Sequence, residues 1–133
     1  AINNASVTIV HGMSRPIGAL FHVPHGLSNA MLLEKCMSFA ADGAYDKFAE
    51  LGRAIGVADT SSDDKSAAKA FVKSLGELCR ICEVPSIEEY GIDKTAFMAA
   101  ADKMASDALA SGSPANTIKT VTKDDILKIY SSL

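Results

Sequence analysis

Apolar residues recur at helical spacing along most of this chain, and strict polar–apolar alternation is almost absent. In residues 66–83, for instance, Ala67, Phe71 and Leu75 follow one another at intervals of four, and Pro85 then ends the run. Intervals of three and four place side chains on one face of a helix, whereas a strand needs an interval of two. The pattern therefore predicts an all-α fold, a helical bundle of about five to six helices.

Glycine, proline and capping residues indicate where these helices begin and end. Thr122 and Asp125 have the spacing of a capping box for the last helix. Asp93 can cap the start of the preceding helix, residues 93–109. PSIEEYG predicts a single helical turn capped by Ser86, while SVTIV at residues 6–10 stays ambiguous between helix and strand. After an interrupted helical segment within residues 3–26, helices are predicted at residues 27–41, 44–55, 66–83, 93–109 and 122–130.

Length and charge narrow the class of protein. The sequence has 133 residues, 48% of them hydrophobic and none tryptophan, which predicts a single domain, residues 1–133, with an aliphatic core. The net charge of -3 predicts no attraction to nucleic acid or to an anionic membrane, and no apolar run approaches the roughly 18 residues of a membrane span.

Three cysteines make a poor disulfide framework and favour a reducing, cytoplasmic setting. Because the opening AINNASVTIV lacks an initiator methionine, we expect a piece of a longer protein.

All three histidines lie in one segment, VHGMSRPIGALFHVPHG at residues 10–26. Pro24 turns the chain so that His25 stands at the start of the next helix, whereas His11 lies on the preceding element. Imidazoles on neighbouring helices can hold a zinc or ferrous ion at a fixed geometry. An isolated histidine is more often a surface or hydrogen-bonded residue, which is our interpretation of His22. Two histidines alone also make an incomplete metal site.

The stretch VHGMSRPIGALFHVPHGLSNAMLLEKCMSF resembles the segment that marks the iron-dependent (group III) alcohol dehydrogenases. In that family a histidine followed by glycine, and a histidine fourteen residues later between proline and glycine, supply two metal ligands; the same spacing occurs here. The following helix carries asparagine-alanine and paired leucines, matched by Asn29, Ala30, Leu32 and Leu33. AELGRAIGV, VPSIEEYGI and VTKDDILKIY fall in the same order as similar phrases of the family, so the resemblance covers the whole chain.

The resemblance implies the C-terminal, metal-binding helical domain of a two-domain, NAD(P)-dependent alcohol dehydrogenase or aldehyde reductase. His11 and His25 correspond to the two metal ligands, for Fe²⁺ or alternatively Zn²⁺. The family's other two ligands are an aspartate and a histidine four residues later, and no aspartate of this chain has a histidine four positions on. Those ligands, and the N-terminal α/β domain that binds most of the nucleotide, are expected upstream. The implied substrates are small alcohols or aldehydes.

The chain departs from the family at Arg15, where many members have a further histidine. Arginine cannot carry a proton at neutral pH, so no proton relay is expected at this position. A cation near a cofactor phosphate or a substrate oxygen is the role that remains. We therefore expect Arg15 to contribute to cofactor binding, with its guanidinium directed toward the metal cleft, and we predict no catalytic residue within the chain itself.

A second class of function stays open on sequence grounds, a non-enzymatic helical interaction module whose histidines are structural. It predicts no metal-dependent behaviour. The motif CRIC at residues 79–82 lacks a second cysteine pair, so Cys79 and Cys82 are interpreted as core or near-core thiols. Under the dehydrogenase hypothesis, the chain alone should fold, bind metal weakly, catalyse no hydride transfer and tend to form a homo-oligomer.

Overall fold

The protein consists of six α-helices and one short 3-10 helix, with no strand, in the part of the chain that the structure describes. The structure is a computed structural model that describes residues 8–133. The helices are α1 (Ile9–Phe21), α2 (His25–Ala41), α3 (Tyr45–Ala54), α4 (Asp64–Ile81), α5 (Lys94–Ala110) and α6 (Lys123–Ser131), with the 3-10 helix Ser113–Asn116 between α5 and α6. The predicted all-α bundle is confirmed. Of the ambiguous SVTIV stretch, Ile9 and Val10 belong to α1, and residues 1–7 lie outside the described part.

Side-chain caps fix the starts of three helices. The carboxylates of Asp63 and Asp93 each accept a hydrogen bond from the backbone N–H three residues later, at 3.2 and 2.9 Å. Thr122 and Asp125 form the predicted capping box. Because the cap of α4 is Asp63, that helix begins two residues earlier than the apolar spacing indicated.

The segment between α4 and α5 contains the predicted single helical turn. The backbone N–H of Tyr90 donates to the carbonyl oxygen of Ser86 at 3.0 Å, which closes one turn of α-helical type. Ser86 caps it as predicted, because its hydroxyl accepts from the N–H of Glu89 at 3.1 Å. Gly91, with a φ of 100°, then ends the turn in a conformation that favours glycine.

The hydrophobic core lies between α1, α2, α5 and α6. Its buried side chains include Ile9, Met13, Ile17, Leu32, Cys36, Phe97, Ala101, Met104, Ile126 and Tyr130. The rings of Phe97 and Tyr130 meet edge to face with their centres 5.6 Å apart. The inner face of α1 is therefore held by packing, which fixes the direction of the face that bears His11. Across residues 8–133, no helix is both long and apolar enough to cross a membrane.

The α3–α4 hairpin, residues 45–81, packs through small side chains. A β-carbon on Gly52 would lie 2.8 Å from the carbonyl oxygen of Ala67, so glycine permits a backbone approach that alanine would obstruct. The larger residues Leu51 and Ile55 are 48% and 56% exposed. Close backbone packing thus leaves these two residues on the outer surface. The hairpin contacts the core chiefly through α4, which packs against α2.

Candidate metal centre

The imidazole rings of His11 and His25 meet where α1 and α2 lie against each other. Their centres are 5.6 Å apart, and their planes are inclined by 50°. His25 is the first residue of α2, and the extended Pro24 precedes it, as the sequence predicted. His22 ends α1 in the left-handed conformation, with a φ of 56°, and its side chain is exposed. The reversal between the two helices therefore brings together two of the three histidines.

The spacing of the two rings is compatible with a shared metal ion. Two imidazoles bound to one tetrahedral ion through bonds of about 2.1 Å have their ring centres about 5 Å apart. The observed 5.6 Å is close to that value. Imidazole nitrogen suits ferrous iron and zinc alike, and His11 is half-buried while His25 is exposed, so an incoming group can reach the rings.

His11 and His25 are each followed, three residues later in the same helix, by a buried serine. The hydroxyl of Ser14 donates to the carbonyl oxygen of His11 at 3.2 Å, and that of Ser28 donates to the carbonyl oxygen of His25 at 3.0 Å. Both serines are fully buried. These hydroxyls donate to the backbone of their own helices, as serine in a helix interior commonly does.

Asn29 is a residue of this site that sequence reasoning treated only as part of the family pattern. Its amide nitrogen Nδ2 lies 3.2 Å from Nε2 of His25, one helical turn away on α2. Its Oδ1 is buried and, among the side chains that the structure describes, has no hydrogen-bond partner. The i, i+4 spacing to His25 is the signal in the sequence that indicates this contact.

Arg15 lies one turn after His11 and is exposed. With Gly12, Pro16 and Asp107 it borders a shallow depression of about 240 Å³ between α1 and the end of α5. No ion pair within residues 8–133 involves Arg15. Its positive charge is therefore available to an anionic group, and its direction relative to a metal ion stays a prediction.

The side of α1 that faces the 3-10 helix is tightly packed next to His11. A β-carbon on Gly12 would lie 2.8 Å from Cδ of Pro114, because the 3-10 helix presses directly onto α1 at this point. Pro16 lies inside α1 and is buried. The close approach of the 3-10 helix thus explains why a glycine follows His11.

The described residues contain no complete metal site. Within residues 8–133, no group of three or more histidine, cysteine, aspartate or glutamate side chains is arranged to hold an ion. The CRIC cysteines lie elsewhere, on α4 and at its end. Cys79 is half-buried and Cys82 is exposed, so the interpretation of Cys82 as a near-core thiol is wrong, because the end of α4 turns that position outward. The assignment of His11 and His25 as two ligands of a larger set therefore stays a prediction.

Comparison with known proteins gives consistent matches over the whole chain. The model of the Fe-containing alcohol dehydrogenase family, C-terminal, matches residues 1–133. Lactaldehyde reductase of Escherichia coli K12 is 30% identical over 129 residues, which cover 96% of this chain and 33% of that protein. The NADPH-dependent butanol dehydrogenase of Clostridium saccharobutylicum is 26% identical over 131 residues, covering 98% of this chain and 33% of that protein.

Solved structures show the same architecture. An alcohol dehydrogenase from Oenococcus oeni superposes with a TM-score of 0.87 at 30% identity, covering 99% of this chain and 34% of that one. A 1,3-propanediol oxidoreductase superposes with a TM-score of 0.85 at 24% identity and supports the fold alone. The chain spans about a third of the length of the curated relatives it matches.

Proposed function

The chain belongs to the iron-containing alcohol dehydrogenase family, whose C-terminal model it matches from end to end, and from that premise we propose that it is the metal-binding domain of an NAD(P)-dependent alcohol dehydrogenase or aldehyde reductase. The observation that carries the proposal is the meeting of the His11 and His25 rings at 5.6 Å. The two histidines would hold a divalent cation, Fe²⁺ first and Zn²⁺ as the alternative, together with two ligands from outside residues 8–133.

Such a cation would supply Lewis-acid chemistry, which would favour hydride transfer between a small alcohol or aldehyde and the nicotinamide. The residues of this chain do the positioning. His11 is carried by a helix whose inner face is locked into the core, and His25 is fixed at the first turn of α2. Rigid placement of ligands is what lets a metal site keep its geometry during turnover.

Arg15 would supply positive charge to the site. The exposed guanidinium forms no ion pair within residues 8–133, so an approaching phosphate or substrate oxygen can pair with it. Guanidinium groups bind phosphates through paired hydrogen bonds. We therefore propose that Arg15 helps to bind the cofactor or the substrate while the metal is held by other residues.

The remaining parts of the enzyme would lie on an upstream α/β domain of the same protein. That domain would bind most of the NAD(P), and the aspartate and histidine that complete the ligand set would precede this chain. The three free thiols favour a reducing compartment, so we propose a cytoplasmic enzyme. Exposed apolar side chains, among them Leu20 and Met98, support association with the upstream domain or with a second copy.

Membership of an enzyme family favours the dehydrogenase over the interaction module with structural histidines. The test compares the 133-residue chain with a two-domain protein that includes the upstream sequence. With ferrous iron or zinc, NAD(P)H and short aldehydes, the two-domain protein should reduce aldehyde and the chain alone should not. Turnover by the chain alone would contradict the proposal, as would a two-domain protein that neither retains metal nor reduces any short aldehyde.

A further inference from the structure

The amide of Asn29 selects one protonation form of the His25 ring. Asn29 Nδ2 lies 3.2 Å from His25 Nε2. An amide nitrogen donates hydrogen bonds and does not accept them, so Nε2 must be the acceptor. A neutral imidazole that accepts at Nε2 carries its proton on Nδ1. The contact therefore favours the tautomer in which the Nε2 lone pair bears no proton.

The buried oxygen of the same amide supports this orientation. Asn29 Oδ1 is buried without a partner among residues 8–133. If the amide were reversed, the oxygen would face the ring and the NH₂ group would be left in the buried position. Two unpaired N–H donors are costlier to bury than one unpaired carbonyl, so the orientation with Nδ2 toward His25 is the more favourable one.

Two further contacts lie next to the exposed His25 ring. Its backbone carbonyl is held by Ser28, and the His11 ring lies 5.6 Å away. The contact between the Asn29 amide and His25 follows from helix geometry, because residues four apart share one face. The backbone of His25 is thus held by Ser28, and its imidazole is held by Asn29 at Nε2.

We propose that Asn29 is a positioning residue for His25. Its amide holds the imidazole in the Nδ1–H tautomer, with an unprotonated Nε2, and gives up that hydrogen bond when a divalent cation binds Nε2. One lone pair serves either an N–H donor or a cation, so the two states exclude each other. Only the second half of the proposal, the exchange, rests on the proposed metal-binding function.

The first test reads the tautomers directly in metal-free protein. Long-range ¹H–¹⁵N correlation spectra at about pH 8.5, well above the ordinary imidazole pKa of about 6.5, should show His25 with its proton on Nδ1. In Asn29→Asp the carboxylate can only accept, so the proton should move to Nε2. Asn29→Leu removes both groups and should give a mixture. His25→Gln assigns the signals.

His22 is the internal control for this test, because its exposed side chain makes no hydrogen bond within the described residues. Its tautomer should be the same in all variants, and circular dichroism should show unchanged helix content. A proton on Nε2 of His25 in the wild type would overturn the positioning role. So would the same His25 tautomer in wild type and Asn29→Asp.

The second test adds zinc to the same labelled protein. Binding should move the ring nitrogens of His11 and His25 together with the side-chain NH₂ signals of Asn29, and should leave His22 in place. If the two rings shift while the Asn29 NH₂ signals stay, the exchange is overturned. If neither ring shifts at any zinc concentration, the metal proposal fails, whereas the tautomer result is unaffected.

Discussion

The hydroxyl of Tyr130 donates a hydrogen bond of 2.8 Å to the backbone carbonyl oxygen of Met13. The bond is buried and joins α6, near the end of the chain, to the helix that carries His11. Burial raises the pKa of Tyr130 well above its usual range, so the hydroxyl keeps its proton and remains a donor. Helix α6 thereby holds α1, the helix that carries His11, in place.

Replacing Tyr130 by phenylalanine should lower the free energy of unfolding by about 1–2 kcal/mol, because the ring stays packed while a buried carbonyl loses its donor. Tyr90→Phe is the matched control, since its exposed hydroxyl makes only a 3.4 Å contact with the carbonyl oxygen of His22. Urea denaturation measures both. Equal stability of Tyr130→Phe and Tyr90→Phe would show that the buried bond is energetically neutral.

Substitution of either proposed ligand should abolish tight metal binding in the two-domain protein. His11→Gln and His25→Gln should each lower affinity by more than about 100-fold, since even residues that only support a ligand contribute 10–100-fold. His22→Asn is the control, because asparagine tolerates the left-handed conformation of that position and removes an imidazole outside the pair. Metal content by mass spectrometry is the measurement. Retention of stoichiometric metal by His11→Gln would refute the site.

Arg15→Ala should separate cofactor or substrate binding from metal binding. In the two-domain protein we expect affinity for nucleotide or substrate to fall about tenfold, because a charge-assisted hydrogen bond is lost. Metal content should not change. Arg80→Ala, which removes an exposed arginine from the last turn of α4, is the control. Unchanged binding and kinetics in Arg15→Ala would contradict a role for this side chain in the cleft.

Gly12→Ala should destabilise the fold. The new methyl group would lie 2.8 Å from Cδ of Pro114 and must push the 3-10 helix away from α1, at a cost of about 1–3 kcal/mol. At Gly26 a β-carbon meets nothing within 4 Å, so Gly26→Ala should be neutral or gain up to about 1 kcal/mol from helix propensity. Thermal unfolding of the two variants distinguishes these effects. A Gly12→Ala variant as stable as Gly26→Ala would mean that the 3-10 helix can move away from α1 without loss of stability.

The three thiols should react with iodoacetamide at different rates. Burial raises the pKa of Cys36 to about 12, so almost no thiolate forms at neutral pH. Burial also raises the pKa of Cys79, which is only half-buried, whereas Cys82 is exposed. Mass spectrometry of the folded protein should find labelling of Cys82 first, Cys79 next and Cys36 last. Raising the pH should accelerate Cys79 well before Cys36. Early labelling of Cys36 would show that the core opens readily.

The sequence predicted most of the helix ends because their determinants are local. Asp93 and the Thr122–Asp125 capping box act within one turn, so spacing alone identifies them. The pairing of His11 with His25 is of another kind, since the rings meet across two helices. Family resemblance, together with the turn at Pro24, indicated that pair, and no local rule could have given the ring distance.

What the sequence could not supply was the choice of packing faces. The spacing predicts that Phe48, Leu51 and Ile55 share one apolar face, yet Leu51 is 48% exposed and Ile55, directly after α3, is 56% exposed. The buried positions of that helix are Ala49 and Gly52, which permit close backbone contact with α4. An apolar sequence pattern is dominated by large residues, whereas the close contact of two helices requires small residues where their backbones meet. The i, i+4 spacing indicates that Asn29 can reach His25, but spacing alone does not fix the side-chain rotamers that make the contact.

The way the α3–α4 hairpin is attached has a consequence for motion. Its two helices contact each other more than anything else, and within residues 8–133 their main link to the core is the contact of α4 with α2. Such a unit can detach as one piece at a free energy below that of global unfolding. In hydrogen exchange, the amides of α3 and α4 should therefore exchange through a shared step in which the hairpin unfolds, while α1, α5 and α6 remain protected.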